Sequence, residues 1–276
     1  MLTGIGDTVT LANGVEMPRL GLGTYKSAEG GDVERAVATA LELGYRGIDT
    51  ASLYGNEEGV GAALAAAPVP REEVFLASKV WNDEQGYDAT LAAFERSLER
   101  LGTEYLDLYL VHWPRPETPD TWRALERLLA EGRVRAIGVC NHLIHHLDRL
   151  LESAEVVPMV NQYEFHPWLQ QSGLLGHCEG LDIVAQAWAP LMKGRVDEEA
   201  KLVAIGKRHG KSAAQVAIRW ILQHGVTTIP KSVTPARIAE NADVFDFSLS
   251  VEEMRAIDGL DRGERLGPHP DRFPAR

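Results

Sequence analysis

The chain has 276 residues, 45% hydrophobic and 25% charged, which is enough to bury a sizeable core without disulfides or metals. Its 28 Lys+Arg against 40 Asp+Glu give a formal net charge of −12, which repels nucleic acid and anionic membranes and obliges any anionic ligand to meet a local basic cluster. Cys140 and Cys178 make no disulfide framework and have no metal-ligand spacing around them; with no leader-like N-terminus and no membrane-length apolar run, a soluble, cytoplasmic, single-domain protein over residues 1–276 is expected.

In chain order, "TVTLANGVEMP" alternates on both sides of Asn13-Gly14, the dipeptide of a tight β-hairpin with left-handed central residues. Eight strand candidates follow: 19–24, 46–50, 74–80, 106–113, 134–140, 158–164, 182–188 and 226–230. Between them lie amphipathic segments with helix punctuation. The segment 32–44 closes on Gly44, 88–102 opens on Asp88 and closes on Gly102, and 118–132 has Pro119 near its start and Gly132 at its end. The segment 212–225 opens on Ser212, and 234–245 opens on Thr234-Pro235. Segments 196–210 and 250–260 read as two extra helices. The tail from 263 has no periodicity and reads as an arm laid over one face. Eight strand–helix units in a chain of this length predict an α/β fold of the (β/α)₈ barrel type, with an N-terminal hairpin and two extra helices. The competing open sheet would carry G-x-G-x-x-G after its first strand, and "GLGTYK" breaks that pattern at Lys26.

In such a barrel, chemistry gathers at the C-terminal ends of the strands. Asp49 ends the second strand and Tyr54 lies on its loop; Lys79 and His112 end the third and fourth. These strands are neighbours, so the four side chains can converge. A buried lysine needs a counter-ion, which Asp49 supplies. A cation beside a phenol is expected to lower its pKa and make Tyr54 a better proton donor, and His112 can orient a substrate oxygen. The set suits carbonyl reduction, with the hydride supplied from elsewhere. The cluster "HLIHH" (142–146) lacks the H-E-x-x-H spacing, and no metal is expected.

The segments "GIDTASLYGNEEGVG", "VFLASKVWN", "DLYLVHWP", "GRVRAIGVCN", "NQYEFHP", "QAWAPL" and "IPKSVTPARIAEN" together resemble the aldo-keto reductases, over nearly the whole chain. The short loop "WPRPETPD" and the "HPD" of the tail make it most similar to the bacterial 2,5-diketo-D-gluconate reductase branch. The resemblance implies a catalytic tetrad at Asp49, Tyr54, Lys79 and His112, and NADPH held across the strand ends. Asn141 and Gln162 would hold the nicotinamide carboxamide and Trp188 would stack on the ring. Ala189, Pro190, Leu191, Lys193 and Gly194 would follow the pyrophosphate. Lys231, Ser232, Val233, Thr234 and Arg237 would meet the 2′-phosphate, and Glu240 and Asn241 the adenine, with Gly23, Thr24, Tyr25 and Asp49 completing the contacts. Tyr25, Tyr54, Trp81, His112 and Trp113 would line an open pocket of broad specificity for a small-molecule carbonyl, in a monomer. Four positions depart from the family's habit: Trp188 where tyrosine is common, Tyr25 for tryptophan, Cys140 for serine and His142 for phenylalanine. Two other readings of the residues stay open: a Schiff-base lyase with Lys79 as nucleophile, and an NADPH-binding sensor that turns over slowly.

Overall fold

The structure is a computed structural model that describes residues 2–273. A hairpin of β1 (Thr8–Thr10) and β2 (Glu16–Pro18) leads into eight parallel strands: β3 (Gly21–Gly23), β4 (Gly47–Asp49), β5 (Phe75–Val80), β6 (Leu106–Val111), β7 (Val134–Cys140), β8 (Val160–Glu164), β9 (Val184–Trp188) and β10 (Thr227–Thr228). They pair in sequence order, and the bridges Leu20–Thr228 and Gly23–Lys231 bring the last strand back to the first. The predicted (β/α)₈ barrel is therefore the observed one.

The helices are α1 (Asp32–Glu42), α2 (Glu57–Ala66), α3 (Tyr87–Leu101), α4 (Thr118–Ala130), α5 (Ile144–Leu151), α6 (Ser172–Gly180), α7 (Ala200–His209), α8 (Ala213–Gln223), α9 (Pro235–Ala242) and α10 (Val251–Asp258). The expected Ser212 cap is present, its hydroxyl accepting from Gln215 N–H. The extra helix expected over 196–210 divides into a 3₁₀ turn, Val196–Glu198, and α7. α5 and α6 lie outside the helical segments expected above, although α5 is amphipathic and buries Leu147 and Leu150 on one face. The hairpin differs from expectation in its turn. Leu11 pairs with Val15 around residues 12–14, and only Gly14 is left-handed (φ +84°), as in a three-residue loop rather than a two-residue one.

Strand alternation divides the core in two. Phe75 and Ala77 pack with Leu108, Leu110, Ala136, Cys140 and Val160 inside the barrel, where Leu11 and Met17 from the hairpin region join them. Leu76, Val80, Tyr109, Val111, Ile137 and Val139 face outward into the shell of helices. Lys79 lies two residues beyond Ala77, so the same period places its side chain inside the barrel mouth.

Candidate active site

Asp49 and Lys79 end adjacent strands, with Asp49 opposite Ala77 in the register. Lys79 is fully buried and donates to Asp49 Oδ1 at 2.6 Å and to the Thr50 carbonyl at 2.8 Å. Its Nζ lies 3.4 Å from the Tyr54 hydroxyl and 5.0 Å from the ring centroid. Burial pulls the lysine pKa down, but Asp49 outweighs it and holds the ammonium protonated. The His112 ring packs edge-on to Tyr54 at 5.7 Å and to Trp81 at 5.0 Å. Burial, then Lys79, push its pKa well below the ordinary value, so the imidazole is neutral at physiological pH. The four side chains expected to converge do so.

The expected shift of Tyr54 is overturned in its net sign. Lys79 does favour the phenolate, yet burial is the larger influence and the pKa rises above the ordinary 10. Tyr54 is a neutral hydroxyl at neutral pH, and the lysine charge counts only as the proton leaves.

Sequence reasoning named Gln162 for the cofactor alone and gave no role to Gln186 or Asn56, yet all three hold this set. Gln162 Nε2 donates to Asp49 Oδ2 at 2.8 Å and to Gln186 Oε1 at 2.7 Å. Both carboxylate oxygens of Asp49 are thus occupied. Asn56 is fully buried, donates to the Thr24 and Ser27 carbonyls at 3.0 Å and accepts from Thr50 at 2.9 Å. It pins the loop that carries Tyr54 to the end of β3. The motif "LYGNE" held Asn56, but nothing local shows that a loop asparagine is buried.

Trp188 and Asn141 meet beside the tetrad. The indole Nε1–H donates to Asn141 Oδ1 at 2.8 Å, and Asn141 Nδ2 donates to the His112 carbonyl at 3.0 Å. Asn141 has a left-handed backbone (φ +60°), and its second Nδ2 hydrogen has no acceptor among the described residues. Gln162 Oε1 has no partner among the described residues. Beyond Trp188, Ala189, Met192, Lys193 and Gly194 all have positive φ, a strained run that includes Pro190 and Leu191. At the α9 end, Lys231 donates to the Lys26 carbonyl at 3.0 Å. Ser232 accepts from Thr234 N–H, and the exposed Arg237 on the first turn makes no ion pair among the described residues. Val233 and Glu240 are half-buried there, and Asn241 is buried.

Around Tyr54, Tyr25 is half exposed with its ring 5.0 Å away. Trp81 and Trp113 form the opposite wall. Phe273, from the tail, stacks on Trp113 at 4.1 Å and 3° and meets Trp81 edge-on at 5.9 Å. The tail was expected as an arm, but Phe273 as part of the pocket was not. The "HLIHH" cluster opens α5, where His145 and His146 Nε2 lie 3.0 and 3.1 Å from Asp271 Oδ1. His146 Nδ1 accepts from Leu143 N–H, so its proton sits on Nε2 and is donated to Asp271. The cluster is a hydrogen-bonded tether for the tail.

The chain is 56% identical to the glyoxal reductase of Bacillus subtilis over 98% of its own length and 99% of that protein's. It is 47% identical to the methylglyoxal reductase DkgA of Salmonella typhimurium, over 96% and 97%. Among solved structures it is similar to an aldo-keto reductase from a Medee basin deep-sea metagenome library (TM-score 0.95, 45% identity, 97% of this chain and 100% of that one). It is also similar to a mutant of Gox0644 in complex with NADPH (TM-score 0.92, 44% identity, 98% and 99%). The Aldo/keto reductase family model matches residues 19–262. That span runs from the first barrel strand past the last helix, with the Asp–Lys–Tyr–His cluster in its mouth, and the chain belongs to the aldo/keto reductase family.

Proposed function

We propose that the protein reduces small aldehydes and ketones to alcohols with NADPH, Tyr54 giving the proton to the carbonyl oxygen. The observation that carries this is the placement of Lys79 Nζ, 2.6 Å from Asp49 Oδ1 and 3.4 Å from Tyr54 Oη. A proton leaving this half-buried phenol creates an anion that has to be stabilised where it forms. The ammonium stands beside that oxygen already charged and oriented, so little reorganisation is needed. His112, held neutral, offers the carbonyl oxygen a hydrogen bond without adding a second cation. Lys79 is bonded to Asp49 and Thr50 and kept protonated, which speaks against its use as a Schiff-base nucleophile. The complete tetrad speaks against a slow sensor.

NADPH, when bound, supplies the hydride. The residues present fit it. Gln162 Oε1 and the second Nδ2 hydrogen of Asn141 offer an acceptor and a donor for a carboxamide. Trp188 presents a part-exposed ring next to the tetrad. Lys231 and Arg237 bring two cations to the start of α9, where the Ala236 N–H has no partner among the described residues, which suits a 2′-phosphate on an acidic protein. The NADPH complex of Gox0644 supports the same cofactor.

For the substrate, the aromatic walls and the half-exposed Tyr25 describe a pocket open on the Tyr25 side. The glyoxal and methylglyoxal reductase relatives favour small 2-oxoaldehydes, and the openness extends the range to keto-sugars such as 2,5-diketo-D-gluconate. NADPH consumption with methylglyoxal, a simple aromatic aldehyde and a keto-sugar tests this. Turnover of the small dicarbonyl with at least comparable kcat/KM is expected. Turnover of none of the three overturns the reading. No helix among the described residues is long and apolar enough to cross a membrane.

A further inference from the structure

The indole of Trp188 is gripped at both ends. Its pyrrole end donates to Asn141 Oδ1 at 2.8 Å. Its benzo edge abuts Gly267 of the tail so closely that a Cβ there would overlap Cη2 outright and lie 3.1 Å from Cζ3. Gly267 does not have a left-handed backbone, so it is room for the tryptophan, rather than a turn, that requires glycine here. Gly267 is itself fixed. The Leu266 N–H donates to Glu164 Oε1 at 2.7 Å, and the Gly267 N–H lies 3.1 and 3.2 Å from the two carboxylate oxygens. Glu164 is fully buried and sits opposite Trp188 in the β8–β9 register. Lys193, from the strained loop after β9, donates to the Leu266 carbonyl. Past Gly267 the same arm is tethered through Asp271 to His145 and His146 and brings Phe273 to stack on Trp113.

We propose that Gly267, pegged by Glu164, is a positioning residue for hydride transfer. With Asn141 it forms a two-jawed clamp that sets the plane of Trp188, and the arm beyond it joins that ring to the Phe273 wall of the carbonyl pocket. A ring free to tilt about its Asn141 bond presents no fixed face to a nicotinamide. A ring held at both ends does. This rests on the reading of Trp188 as the nicotinamide platform.

The test is a double-mutant cycle in the full-length protein, with NADPH affinity measured by calorimetric titration. Gly267→Ala in the parent should weaken NADPH binding about 10-fold, equivalent to ~1.4 kcal/mol. In a Trp188→Tyr background, where no Cη2 remains to be struck, the same substitution should change affinity by less than about 2-fold, within the usual error of additivity. The double variant lacks the overlap with Cη2 and keeps only the 3.2 Å approach of the new Cβ to Glu164 Oε2, so it reports even if Gly267→Ala alone folds poorly. Equal losses in both backgrounds, or no loss in the parent, overturn the clamp. Trp188→Ala separates the two readings: if it binds NADPH as the parent does, the platform fails and the clamp has nothing to position. Phe273→Ala should raise KM for methylglyoxal severalfold while leaving NADPH affinity within about 2-fold. An unchanged KM would remove the arm's link to the carbonyl pocket.

Discussion

Asp49→Asn probes the buried ion pair on which the proposed chemistry depends. Both partners are shielded from water, with side-chain exposures of 0% for Lys79 and 3% for Asp49. Asp49 meets two donors, Lys79 on one oxygen and Gln162 on the other, and asparagine has one oxygen to offer them. Removing one partner of such a pair leaves a buried charge and costs ~3–5 kcal/mol. The pH dependence then gives the sign. In the parent, the folded-state pKa of Lys79 is raised. Its contribution is therefore fully present below the unfolded value and is lost only as pH rises through the folded one. In the variant, burial acts without its counter-ion and the folded pKa falls below the unfolded value of about 10.4. The unfolded chain then binds the extra proton, and stability rises with pH by up to ~1.4 kcal/mol per unit below about pH 10. Urea unfolding of both chains from about pH 7 to about pH 9 measures the difference, in which groups common to both cancel. The difference should start large and shrink as pH rises. A loss below about 1 kcal/mol that does not vary with pH would refute the reasoning.

Arg237→Ala should weaken NADPH about 10-fold and leave NADH nearly unchanged, because a charge-assisted bond to a phosphate is lost only where that phosphate exists; equal effects on both in a titration would remove Arg237 from the 2′-phosphate site. Gly61→Ala should destabilise by ~1–3 kcal/mol although alanine is the better helix former, because a Cβ at this α2 position would lie 2.6 Å from the Leu101 carbonyl oxygen; a raised urea midpoint would contradict the packing. Burial and Lys79 keep His112 neutral, so kcat/KM should show no inflection from its protonation between about pH 6 and about pH 8; an inflection there in the parent that vanishes in His112→Gln would overturn the neutral assignment.

The barrel was legible because its two periods are. Runs such as 74–80 and 134–140 are short, apolar and β-branched, and capped amphipathic helices intervene between them. The placement of Lys79 and Asp49 followed from strand ends alone, since adjacent parallel strands bring their termini together. What stayed hidden depends on contacts far apart in sequence. Gln162 supports Asp49 across 113 residues, and Glu164 pegs the tail across 102. The direction of the Tyr54 shift was misjudged for a related reason: a charge partner can be guessed from a motif, whereas the depth of burial that outweighs it depends on the whole barrel mouth. Phe273 lies in an aperiodic tail whose path is set by side chains on β8 and α5, not by its own letters.

The central claim is that Tyr54 delivers the proton under the influence of the Asp49–Lys79 pair, and Tyr54→Phe tests it most directly. The substitution removes one oxygen from a half-buried ring and keeps the packing against Tyr25 and His112. Turnover of methylglyoxal at saturating NADPH should fall by ~10²–10⁴-fold, the range for loss of a general acid, with NADPH affinity essentially unchanged. Turnover within a few-fold of the parent would contradict the account.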